Sequence, residues 1–234
     1  MSNKKIAISQ SNYIPWRGYF DLINSVDEFI FFDEVQFTRR DWRNRNKILV
    51  NNKPTWLTIP LENKGNYSEI ISNMKVFDVN WKIRHIEIIK KNYLKAKHFQ
   101  EIFYFVNKLY QQINSLYLSD INQFLIKEIC FSLNIKTKFK KSSEFKIFNI
   151  GNYDATERLV DLCYQSGGST YVTGPAAKNY LRVDEFKKKD MSVIWFDYKD
   201  SKIYNQFDKN FIKDLSILDC LFHCNLEKKS FLNT

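Results

Sequence analysis

Strand-length apolar runs alternating with amphipathic helical stretches limit most strongly what this chain can fold into. Lys5–Ser9 and residues 28–32 are two such runs, with a turn and a helical segment at 18–25 between them. Short runs that are apolar throughout, rather than alternating in polarity, suit strands buried on both faces, as in a parallel sheet covered by helices. Thr170–Thr173 and residues 192–196 read as further buried strands. Ile135, Thr137 and Phe139 alternate like another, and residues 56–60, bounded by Pro54 and Pro60, make one more. The middle is helical. Trp81, His85, Ile88/Ile89 and Asn92/Tyr93 fall on one helix face, Phe99 to Leu116 forms a longer stripe, and Ile121 to Leu133 a third, with Ser119 and Asp120 as expected N-caps. Asp154 and Glu157 have capping-box spacing and open a helix through Leu159, Leu162 and Cys163 that ends near Gly167-Gly168; residues 215–225 close the chain as a helix. The expectation is an α/β fold with a mostly parallel sheet flanked by helices. Residues 1–234 then form a single domain with a helical insertion or subdomain at about 80–134.

Charge and glycine narrow the function. The 36 Lys+Arg against 26 Asp+Glu give a net charge of +10, which favours an anionic partner: nucleic acid, a nucleotide-linked small molecule, or an acidic protein or membrane surface. Only 6 Gly occur, and neither a G-x-G-x-x-G nor a Walker-type phosphate loop is present. The N-terminus has no long apolar core or small-residue cleavage site, no window approaches a membrane span, and the four cysteines show no C-x-x-C. A reduced, cytoplasmic protein without membrane insertion is expected.

The densest polar-aromatic stretch is 10–47. Gln10, Asn12, Tyr13 and Trp16 follow the first strand, where open α/β sheets bind ligands, and Asp33 and Glu34 follow the second at the same edge. Adjacent carboxylates there could bind a cation, hold substrate hydroxyls or act as a base; they could equally close a strand-end turn. Arg39, Arg40, Arg43, Arg45 and Lys47, interleaved with Trp42, Asn44 and Asn46, suit a compact diphosphate pocket better than an extended nucleic-acid groove, or else form a solvated basic loop. His85 sits on an apolar helix face, where core packing competes with a catalytic role. Cys220, His223 and Cys224, at i, i+3 and i+4, offer three soft ligands but lack a fourth, so core packing is expected and no metal is assigned. The Tyr171, Gly174 and Lys178 region reads as a strand-to-helix turn able to meet an anion or simply to reverse the chain.

Taken together, these segments resemble the WbqC-like family of bacterial proteins. The resemblance rests on Ile8-Ser9-Gln10 with Tyr13-x-Pro15-Trp16-x-Gly18-Tyr19-Phe20, then Phe32-Asp33-Glu34-Val35-Gln36-Phe37, Trp42-x-Asn44-Arg45-Asn46-Lys47-Ile48 and Trp56-Leu57-Thr58-Ile59-Pro60. Trp81-x-x-x-His85, the Tyr171-x-x-Gly174 region and Leu215-Ser216-Ile217-Leu218-Asp219 extend it over nearly the whole chain; Ser11 stands where the family usually has proline. The resemblance implies a role in O-antigen or surface-polysaccharide synthesis, as an N-acyl- or aminoacyltransferase acting on a nucleotide-linked amino sugar. No permanently bound cofactor is implied; the donor would be a carrier-protein phosphopantetheine or CoA thioester, and an acidic acyl carrier protein would suit the basic charge. Asp33 or His85 would be the base, Gln10, Asn44 or Asn46 the oxyanion donors, and Arg45 and Lys47 the diphosphate ligands. Two alternatives remain. One is a nucleotidyltransferase, faintly resembled by the Pro15-x-x-Gly18 segment although it lacks the histidines; the other is a non-catalytic sugar-nucleotide or nucleic-acid binding module.

Overall fold

A computed structural model of the chain describes residues 3–62, 68–146, 154–198, 202–207, 210–226 and 232. Five parallel strands form the central sheet: β1 (Lys5–Ser9), β2 (Glu28–Phe31), β5 (Lys138–Lys141), β6 (Thr170–Thr173) and β7 (Ser192–Trp195), in the order β5-β2-β1-β6-β7. Two further strands, β3 (Arg45–Val50) and β4 (Lys53–Thr58), form a separate antiparallel hairpin.

The runs that read as doubly buried strands are doubly buried in β1, β2 and β6, whereas β7, also expected to be buried, lies at the sheet edge and is half exposed, with Ile194 open to solvent. Ile6, Ile8, Ile30 and Tyr171 pack on one side of the sheet with Leu159, Leu162 and Cys163 of helix α5 (Ala155–Gln165) and Phe186 of α6 (Val183–Lys187). Ala7, Phe29, Phe31 and Val172 alternate to the other side, where they share a core with α1 (Arg17–Asn24), α4 (Leu118–Ser132) and α7 (Ile217–Cys224). At about 1.5–3 kcal/mol for each fully buried Ile or Phe, these alternating faces hold the helices on.

Helices α2 (Trp81–Tyr93) and α3 (Phe99–Gln112) complete the helical block with α4. Its buried residues belong to the same cluster as Ala7 and Phe29, so its core is continuous with one face of the sheet. Ser119 and Asp120 do not cap α4. The helix begins at Leu118 with Tyr117 as its N-cap, two residues before Ser119, which turns inward as a hydrogen-bond donor to Asp33.

Helix α5 is bounded as its sequence requires. Asp154 accepts from the Glu157 amide at 3.0 Å while Glu157 accepts from the Asp154 amide at 3.0 Å. At its other end Gly167, at φ +71°, and Gly168 donate back to Tyr164 and Cys163, closing the helix through a left-handed residue. The hairpin corrects the sequence reading. Residues that read as a basic loop and a single strand at 56–60 are two paired strands, Lys47 opposite Trp56, joined by Asn51 and Asn52 at φ 50° and 60°. A two-residue loop with both residues left-handed matches the twist of the flanking strands, and asparagine tolerates that backbone.

Candidate functional site

The chain leaves β1 for β2 on one side, and β6 pairs with β1 on the other, so the loops after β1 and β6 diverge at the C-terminal edge of the sheet. Open parallel sheets bind ligands at such a divergence. A cavity of about 330 Å³ lies there, lined among others by Gln10, Trp16, Tyr171, Gly174, Arg158 and Tyr198. The first four are residues to which the sequence itself points. Arg158 lies in the first turns of α5, whose start is signalled by the capping box; Tyr198 follows β7 and carries no sequence signal.

The loop after β1 is held from several directions. The Ser11 amide donates to Asp33 at 2.8 Å, Tyr19 donates its hydroxyl to the Gln10 carbonyl at 2.8 Å, and the Tyr13 amide donates to the Trp42 carbonyl at 3.1 Å. Asn46 donates to the Tyr13 and Ile14 carbonyls, and Ser216 from the start of α7 donates to Ile14 as well. These bonds hold Ile14 in a left-handed conformation, φ 35°. Asp33 is 1% exposed and accepts from Ser119 and Gln123 besides Ser11, so its carboxylate is spent on tying β2, the loop and α4 together.

Arg43 reaches back to the same loop. Its guanidinium donates to Oδ1 of Asn12 and, at 3.1 Å, to Oε1 of Gln10, with Asp41 3.6 Å away. Arginine has donors only, so both carboxamides must turn their oxygens toward it. Each amide nitrogen is then a donor, and neither has a partner among the described residues.

Trp16 separates two spaces. A β-carbon at Gly18 would lie 2.4 Å from the Trp16 ring, so glycine there is what lets the indole lie flat over α1. On one side is the divergence cavity with Gln10; on the other is a second cavity of about 320 Å³ lined by Asn12, Pro15, Trp16, Trp42, Asn46, Lys213 and Asp214. Arg45 and Lys47, predicted phosphate ligands, do not line the divergence cavity. They flank the Trp42–Trp56 pair: Arg45 lies 4.1 Å over Trp56, and Lys47 pairs with Asp214 at 2.7 Å. Asn44 donates to the Ile59 carbonyl at 2.9 Å, so it and Asn46 serve the backbone. Lys178 is exposed over Trp195, 5.5 Å from its ring, outside the lining of either cavity.

His85 lies deep beneath the hairpin. Its Nε2 faces the Thr58 carbonyl at 3.2 Å and its Nδ1 faces the Tyr13 hydroxyl at 2.8 Å. A carbonyl only accepts, so the proton sits on Nε2, and Tyr13 donates to Nδ1 while its own oxygen meets Tyr110. Burial pushes the imidazole down to about 4, and it is neutral at ordinary pH. Cys220 is buried beside Asp219, which accepts from Tyr93, Tyr204 and Gln206, and the half-buried His223 packs against the Tyr93 and Tyr204 rings. Among the described residues no group of three or more His, Cys, Asp or Glu is placed to hold a metal ion, and no helix is long and apolar enough to cross a membrane.

The profile of the WbqC-like protein family matches residues 10–231. The chain is also 39% identical, over 229 residues, to the uncharacterized protein Rv1507c of Mycobacterium tuberculosis (strain ATCC 25618 / H37Rv), covering 98% of this chain and 97% of that protein. No solved structure matches it.

Proposed function

The chain belongs to the WbqC-like protein family, and from that premise we propose that it is an N-acyltransferase acting on a nucleotide-linked amino sugar of surface-polysaccharide synthesis. The observation that carries the reading is the pair of carboxamides, Gln10 and Asn12, turned by one guanidinium so that their donors belong to two cavities meeting at Trp16. Two substrates must meet in such a reaction, and the negative charge that develops on the attacked carbonyl needs preset donors.

In this reading the sugar nucleotide occupies the divergence cavity, between the tyrosines and Arg158. Its amine attacks the thioester carbonyl of the donor. The tetrahedral oxyanion takes a hydrogen bond from Gln10, the carbon–sulfur bond breaks, the amide forms, and the proton lost from nitrogen goes to the departing thiolate. An amine with a pKa near that of an α-amino group, about 8, is partly free base at neutral pH, so no strong base need touch it. Asp33 and His85 then keep the frame of the site.

The test is direct. Purified protein is incubated with UDP- and dTDP-amino sugars and acyl-CoA donors, and the acylated sugar is sought by mass spectrometry. Gln10→Ala should lower kcat by about 10²-fold, the usual loss on removing one oxyanion donor. A protein stabilised thermally by the sugar nucleotides yet yielding no product would instead be a binding module. That reading is favoured by the burial of both residues expected as bases. No response to any sugar nucleotide would end both readings.

A further inference from the structure

The cavity walled by Trp16 and Trp42 is more strongly apolar in its lining than the divergence cavity. Pro15 and the two indoles give it flat apolar walls. Asn12 adds one oriented amide donor, while the Asn46 amide nitrogen is already committed to the Tyr13 and Ile14 carbonyls. Charge appears in Lys213, whose ammonium donates to the Tyr198 carbonyl at 3.1 Å, and in the exposed Asp214, which Lys47 neutralises at 2.7 Å. Arg45 stands just beyond, stacked on Trp56. The cationic surplus thus lies beside an apolar space with a single polar donor within it.

A ligand complementary to this arrangement carries an apolar, amide-containing chain inside and an anion outside. We propose that this cavity is the donor site, and that it takes the phosphopantetheine arm of the thioester. The chain lies between Pro15, Trp16 and Trp42, its phosphate meets Lys213, and its thioester carbonyl is delivered past the Trp16 edge to Gln10. The assignment rests on the acyl-transfer reading for the meaning of the arm, but its binding geometry is independent of turnover. It also gives Trp16 a role, as the partition between acceptor and donor that Gly18 holds in place.

The experiment measures binding of 4′-phosphopantetheine and, separately, of a UDP-amino sugar to the full chain, by calorimetry and quenching of tryptophan fluorescence. Lys213→Glu at the exposed rim and Trp42→Ala in the wall should each weaken phosphopantetheine binding about tenfold or more and leave the UDP-sugar affinity within about twofold. Arg158→Ala should do the reverse. Circular dichroism of each variant checks folding, and Lys213→Glu tests the assignment alone should Trp42→Ala fail to fold. Phosphopantetheine binding indifferent to Lys213→Glu, absent from the wild-type chain, or displaced competitively by UDP would overturn the assignment. Phosphopantetheine binding lost in Lys213→Glu, in a wild-type protein that transfers no acyl group, would leave this donor site standing and remove the transferase reading instead.

Discussion

At the scale of single residues, the site is decided by which polar groups are already spent. Arg43 is the clearest case, because it sets the orientation of two cavity-lining amides without lining either cavity. Arg43→Met keeps the bulk of the side chain but frees both amides to flip. It should weaken sugar-nucleotide binding several-fold while shifting the urea midpoint little, and unchanged affinity would show that the amides need no clamp. Asp33 behaves oppositely. Asp33→Asn places an amide group against three donors, Ser11, Ser119 and Gln123, so the fold should lose about 1–3 kcal/mol, read from urea unfolding. A variant as stable as wild type would return Asp33 to the list of candidate bases. Sequence reasoning placed Asp33 at the right edge of the sheet but could not see its donors, two of which come from α4, 86 and 90 residues away. Arg43 stood in the basic run with its neighbours, and nothing in the run marked it as the one that turns inward.

At the scale of elements, boundaries with local chemistry were legible and those without it were not. Helix α5 announces both ends, Asp154 with Glu157 at the start and Gly167 after the finish, because caps are made within a few residues. The β3–β4 hairpin escaped notice because β3 carries Arg45, Asn46 and Lys47 and its turn is Asn-Asn rather than Asn-Gly. Its strand character comes from the buried Ile48 and Leu49, and from partners that only the turn brings opposite. The turn itself is testable. Asn52→Gly should leave stability unchanged or raise it by about 0.5 kcal/mol, since glycine accepts φ 60° freely. Asn52→Val should cost about 1–2 kcal/mol, the penalty for a side chain in the left-handed region. Equal urea midpoints for the two variants would mean that the turn carries no backbone strain.

Across the whole molecule, buried ionisable groups make stability depend on pH. His85, held down to about 4 by burial, stays neutral in the fold while the unfolded chain takes up a proton below its ordinary 6.5. Stability therefore rises with pH across that window, and the histidine's contribution changes by about 3 kcal/mol between its ends. His223, also lowered by burial, acts in the same direction; buried Asp219, raised by burial, acts against both as pH climbs past the usual carboxylate range. The comparison of wild type with His85→Gln in urea at pH 4.5 and 7 isolates the term: the wild type should gain more on going to pH 7. Equal gains would show that His85 titrates normally and is open to solvent.

The amino-acid order by itself determined the α/β class, the buried strands β1, β2 and β6, the caps of α5 and the strand-end loop that carries Gln10, Asn12 and Trp16. These follow from periodicity and near-neighbour chemistry, which act within one element. Only the tertiary structure decided which of the candidate residues build the frame and which face a cavity. Asn46 and Asn12 are the same side chain in neighbouring motifs; one holds the Tyr13-Ile14 backbone and the other accepts from Arg43 and lines a cavity. The choice depends on partners met through folding, such as Ser216 on Ile14 across 202 residues, and a buried polar group takes the nearest partner before it can take a substrate.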